Sequence, residues 1–194
     1  MADENPEIGS ENNKSHVVIT IGGLPGSGTT TAARLLSDRL GLPWTNGGAI
    51  FREMALERKL ELNDFGKLAE QDPEIDRELD RRLIRVMRNG GIILESRLAG
   101  ANAKQHGIDS LRVWLHASQE IRATRIQERE GGELSHLMAE MKERERSERA
   151  RYLSYYSMDY EDLDHYSLVI NSGEMLPEPI VATIIETLKS MEMK

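Results

Sequence analysis

Between Gly22 and Thr31 the chain reads Gly-Gly-Leu-Pro-Gly-Ser-Gly-Thr-Thr-Thr. From Gly23 to Thr30 the glycines and hydroxyls have the spacing of a loop that cradles phosphate. Gly26 and Gly28 let backbone N–H groups curl round an anion, and a helix starting just beyond would aim its positive end there. The candidate nucleotide-binding residues are therefore Gly23, Leu24, Pro25, Gly26, Ser27, Gly28, Thr29, Thr30 and Thr31. Thr30 supplies the hydroxyl expected at Mg²⁺. Thr29 stands where such loops carry lysine. It can donate a hydrogen bond, but it cannot bring a positive charge to β- and γ-phosphates. A tight turn closing a β–α unit would use the same glycines. If the loop does hold phosphate, the missing charge must come from elsewhere in the chain.

Arginines are the residues that could bring it. Arg52 lies early on an expected helix, and Arg97 follows the apolar run that ends in Glu95. Ligands gather at the carboxyl ends of strands in open α/β sheets, so Glu95 could orient a Mg²⁺-bound water. Thr30 and Glu95 are the metal candidates. Arg122, Arg125 and Arg129 recur at nearly one-face spacing, and beyond Gly131-Gly132 so do Arg144, Glu148 and Arg151. An arginine-rich helical hairpin of this kind suits closure over a triphosphate, with exclusion of water. The competing reading is a solvated helix laced with ion pairs, and it is the preferred one for Glu145, Arg146 and Arg149. A phosphate acceptor needs no general base, because its oxygen is already anionic; alignment and charge stabilisation suffice. An alcohol acceptor would call for a positioned carboxylate. Asp76 and Asp80 keep that open, although one helical turn between carboxylates is also ordinary surface patterning. The five histidines are scattered and read as structural or surface residues.

The elements that must position these groups follow from apolar periodicity. Val17–Ile21 is a β-branched run that stops at two glycines, the pattern of a buried parallel strand. A helix is expected over residues 29–40, ended by Gly41 and Pro43, and a second from about Gly48. Asp72-Pro73-Glu74 opens another, with Asp72 as N-cap, running to Arg88. Residues 91–95, 111–115 and 166–170 read as further strands, and a final helix presents Ile180, Ile184, Ile185 and Leu188 on one face. Strands alternating with helices make a three-layer α/β domain with a mostly parallel sheet. With 33 acidic and 25 basic residues the formal charge is −8, which argues against a nucleic-acid partner. The absence of cysteine fits a cytoplasmic protein. No apolar run is long enough to span a membrane. The polar opening, residues 1–15, reads as a disordered tail before one domain spanning 16–194.

Several stretches together resemble a known family, the nucleoside monophosphate kinases, and most closely the compact cytidylate kinases of the archaeal type. They are GGLPGSGTTT, GGAIFREMA from Gly47, DPEIDRELDRR from Asp72, LESRLAG from Leu94, RVWLHASQEIRATRIQEREG from Arg112, KERERSERARY and YSLVIN. The resemblance implies a P-loop kinase domain with a five-stranded parallel sheet, acceptor-binding helices over about 46–89 and an arginine-rich helical lid over about 122–151. It implies transfer of phosphoryl from ATP to CMP, and often dCMP, with Mg²⁺; a monomer is the plain expectation for a lid-closing kinase of this size. Carried over, Arg52 and Arg97 would hold the acceptor phosphate. Arg144 and Arg151 would reach the acceptor and the transferring phosphate, Arg125 and Arg129 the donor phosphates, and Glu148 the acceptor base. A carboxylate there would accept from the cytosine 4-amino group, where uracil presents a carbonyl. One position departs from the pattern: the acceptor-site helix usually begins with glycine and then a carboxylate, and here Ala49 follows Gly48. A kinase for another small acceptor, or a non-catalytic nucleotide-binding protein, remain as alternatives.

Overall fold

A computed structural model describes residues 16–192; the expected tail, 1–15, lies outside the described residues. The chain runs β1 (Val18–Gly23), α1 (Thr29–Leu40), β2 (Trp44–Asn46), α2 (Gly47–Glu57), α3 (Leu62–Gln71), α4 (Pro73–Arg88), β3 (Ile92–Glu95) and α5 (Ala99–Gln105). It continues through β4 (Leu111–His116), α6 (Gln119–Glu130), α7 (Leu134–Tyr156), a 3₁₀ turn (Leu163–His165), β5 (Leu168–Asn171) and α8 (Pro177–Glu192). The sheet has five parallel strands in the order β2-β3-β1-β4-β5.

Strand alternation divides the core. Ile19 and Ile21 of β1 face one side, where they pack with Leu36 of α1 and Val181 and Ile184 of α8. Val18 faces the other side with Met54, Phe65, Leu83 and Leu94. Burial of each such side chain contributes roughly 1.5–3 kcal/mol. The sheet is thereby fixed between two helical layers, and every strand ends at the same edge. β1 and β3 lie side by side with Ile21 opposite Glu95, so the glycine loop and the Glu95 carboxylate emerge together.

Asp72 caps α4 by accepting from the Glu74 N–H at 3.0 Å, with Pro73 in the first turn, as the sequence predicts. The short strand β2 and the helix α5 were not read from sequence. β2 has three residues, and α5 is a run of small residues with no apolar stripe. β5 begins two residues later than expected. Tyr166 sits outside it, its ring against Trp114 at 4.9 Å and its hydroxyl donating to the Tyr160 carbonyl. α6 and α7 form the expected hairpin, turned at Gly131 and Gly132 (φ 78° and 100°) and joined by Ala123, Ile126 and Met141. Among the described residues no helix is long and apolar enough to cross a membrane.

Candidate active site

Gly26 and Gly28 both take positive φ, 83° and 92°, the conformation their glycine identity allows. A Cβ on Gly26 would also strike the Arg122 carbonyl at 2.5 Å. α1 then starts with no side-chain cap on its N-terminus and no acidic residue in its first turn. Its first N–H groups are left to an incoming anion. The loop opens on a cleft of about 680 Å³. Leu24, Pro25, Gly26, Thr29 and Thr30 line it, as does Gly23 at the end of β1. Ser27 is fully buried beneath the loop, and Thr31 is exposed away from it.

The Thr29 and Thr30 hydroxyls both donate to Glu95 Oε1, each at 2.7 Å. Thr29 thus anchors the carboxylate at the strand end instead of supplying charge. The other oxygen, Glu95 Oε2, is buried with no hydrogen-bond partner. A buried, unsatisfied anionic oxygen next to a threonine whose proton is already given to the other oxygen of the same carboxylate suits a hard cation. Mg²⁺ binds through one or two carboxylates plus substrate phosphates and water, so Thr30 and Glu95 fit it. Among the described residues no group of three or more His, Cys, Asp or Glu side chains is placed to hold a metal ion, so the site rests on Glu95 and Thr30 with phosphate and water.

Four arginines from four elements line the same cleft: Arg52 of α2, Arg97 after β3, Arg129 of α6 and Arg144 of α7. They bring positive charge to a cleft whose glycine loop has threonine in the lysine position. Arg97 has a buried Nε with no partner, a donor available to an anion. Its Nη1 lies 2.9 Å from Glu148 Oε2, while Glu148 Oε1 accepts from Arg144 Nε at 2.9 Å. Glu148 is 8% exposed and bridges these two arginines. Arg151 lies on α7 one turn further on; its side chain is outside the described residues.

Not every arginine of the hairpin reaches the cleft lining. Arg125 donates to the Gly26 and Ser172 carbonyls, at 3.4 and 2.7 Å, behind the glycine loop. Arg122 is buried, with Nη1 donating to the Pro25 carbonyl at 3.2 Å and to Glu145 Oε1 at 2.5 Å. Charge patterning along the helix predicts a solvated place for Glu145. Instead it partners this buried guanidinium, because it lies one turn from Met141 on the face of α7 that packs on α6. Arg146 pairs with Glu143 in solvent, as read, and Arg149 with Asp159 and Glu161.

Asp76 and Asp80 are likewise no surface pattern. Asp76 is 9% exposed and lines the cleft. Asp80 accepts from Asn102 at 3.2 Å. Burial pushes the Asp80 carboxyl above its usual range, against the pull of hydrogen bonds from Tyr156 and Asn102. The Tyr156 phenol is pushed up by the same burial and by the Asp80 charge. Ala49 lies off the cleft, its N–H bonded to the Asn46 cap at 2.7 Å, while Gly47 and Gly48 line it.

The model of the cytidylate kinase-like family matches residues 18–174. The cytidylate kinase of Pyrococcus horikoshii is 42% identical over 171 residues, 88% of this chain and 88% of that protein. The cytidylate kinase of Methanopyrus kandleri is 46% identical over 164 residues, 81% of this chain and 85% of that one. A crystal structure of shikimate kinase from Bacteroides thetaiotaomicron superposes with a TM-score of 0.58 at 15% identity, covering 92% of this chain and 99% of that chain. That last likeness concerns the fold alone.

Proposed function

The chain belongs to the cytidylate kinase-like family, and from that premise we propose that it transfers the γ-phosphoryl group of ATP to CMP, and to dCMP. The products are ADP and CDP or dCDP. The observation that carries the reading is a single cleft with an uncapped helix N-terminus at one end and four arginines around it.

The glycine loop and the start of α1 bind the donor phosphates through backbone N–H groups. Arg52 and Arg97 take the acceptor phosphate, the buried Nε of Arg97 finding its partner there. Arg129 and Arg144, on the two helices of the hairpin, approach the transferring group as the lid closes, and Arg151 joins them. Guanidinium forks match the equatorial oxygens that gain charge in transit. Closure also keeps water from competing as acceptor. Arg125 supports the donor end from behind the loop, through the Gly26 carbonyl. Mg²⁺ held by Thr30 and Glu95 would neutralise phosphate charge and help align the triphosphate. Glu148 keeps Arg97 and Arg144 at their stations. The protein works as a cytoplasmic monomer in this reading.

Coupled ADP release with CMP, dCMP, UMP, AMP and small alcohols tests it. Turnover is expected with CMP and dCMP above the others. No turnover with CMP, or turnover only with an alcohol, refutes it.

A further inference from the structure

The cleft has a second end that the phosphate chemistry leaves over. It is lined by Phe51 of α2, Gly66 and Ala69 of α3, and Asp76 and Leu79 of α4. Gly66 sits inside a helix, where glycine costs stability relative to alanine. No feature of the fold calls for it: its φ is not positive, and a Cβ there would meet nothing within 4 Å. The space beside it belongs to the cleft. Ala69, three residues on, shares that face and is also small. The two open a slot, and Phe51, its ring 4.7 Å from that of Phe65, also lines it. A flat ring fits such a slot.

Asp76 brings a carboxylate to this apolar end at 9% exposure. Asp76 also interacts within the fold. A carboxylate offers about four acceptor positions, so capacity for a ligand remains. Glu148 is the other carboxylate that could serve, but both its oxygens face arginines of the phosphate region. An ionised carboxylate only accepts hydrogen bonds. It favours a ring that presents an amino group and disfavours one that presents a carbonyl there, which is the difference between cytosine and uracil.

We propose that Asp76 selects the acceptor base, accepting a hydrogen bond from the exocyclic amino group of a pyrimidine seated over Gly66 and Ala69. This assignment rests on the proposed kinase reading.

The test compares wild type, Asp76→Asn, Glu148→Gln and Gly66→Ala, with CMP and UMP as acceptors at saturating ATP. Asp76→Asn is expected to lower the CMP-over-UMP ratio of kcat/KM about ten- to hundredfold, the loss of one hydrogen bond to a charged group. Its KM for ATP should stay at the wild-type value. Glu148→Gln should lower both rates and leave the ratio in place. Gly66→Ala should raise the unfolding midpoint and yet weaken CMP binding by calorimetry, a split that a purely structural glycine would not produce. A ratio in Asp76→Asn within about twofold of wild type, with CMP turnover intact in wild type, overturns this assignment alone. Wild type that releases no ADP with CMP overturns the kinase reading and this assignment together. If Asp76→Asn does not fold, Gly66→Ala decides: undiminished CMP binding refutes the slot.

Discussion

Glu145→Ala probes the joint between the hairpin and the glycine loop. Arg122 has a side chain 5% exposed, and Glu145 one 17% exposed. The fork meets the carboxylate at 2.5 Å (Nη1 to Oε1) and 3.4 Å (Nη2 to Oε2). At an effective dielectric of about 20 and a charge separation of about 4 Å, the attraction is about 4 kcal/mol. Removing Glu145 forfeits it and leaves a buried guanidinium with only the Ala117 and Pro25 carbonyls. Those two bonds, and water entering at the partly exposed Glu145 side, return a part. The expected net cost is about 3 kcal/mol. For a chain of this size that lowers Tm by about 6–12 °C. Urea unfolding of wild type, Glu145→Ala and the control Arg146→Ala measures it. Arg146 pairs with Glu143 in solvent at 74% side-chain exposure, so the control should stay within about 0.5 kcal/mol of wild type. If Glu145→Ala costs no more than the control, the pair is a solvated one and the reasoning from burial is wrong.

Thr30→Ala removes the hydroxyl beside Glu95; it should raise the Mg²⁺ concentration needed for half-maximal rate and lower kcat about tenfold or more, and an unchanged Mg²⁺ titration would refute its place at the metal. Glu148→Gln puts an amide where two guanidinium groups expect an anion. It should cost about 2 kcal/mol in the nucleotide-free protein by urea unfolding, and a wild-type midpoint would show the bridge to be idle. Asp80 titrates in the opposite sense from a salt-bridged carboxylate. Burial raises its folded-state pKa, so between the ordinary value and the raised one the folded chain binds more protons and stability falls as pH rises. Asp80→Asn should therefore be more stable than wild type at neutrality, with the gain shrinking in acid. A gain that is equal at both would contradict the burial argument.

The glycine loop was legible because its chemistry is local. Contiguous residues fix the turn, the positive φ at Gly26 and Gly28, and the open end of α1. Glu95 was legible for a related reason: a strand followed by a carboxylate puts that carboxylate at the ligand edge of a parallel sheet. The arginines were only half legible. Spacing grouped Arg122, Arg125 and Arg129 on one helix, but it could not tell which neighbour each would meet. Arg129 reaches the cleft, Arg125 turns to two backbone carbonyls, and Arg122 is sealed behind the loop. Glu145 escapes sequence patterning for the same reason, since a charged residue on a charged helix looks solvated until its partner helix is placed.

The sequence by itself determined where phosphate chemistry begins: the loop, its threonines, the strand that precedes it and a surplus of arginines downstream. Local backbone geometry and period are written in neighbouring residues, so they can be read there. Only the tertiary structure decided which charges converge. It brought Arg52, Arg97, Arg129 and Arg144 to one cleft from four separate elements. It also buried Asp76 there and paired Glu148 with Arg97 and Arg144. Those outcomes depend on packing between residues distant in the chain, and no one segment carries them alone.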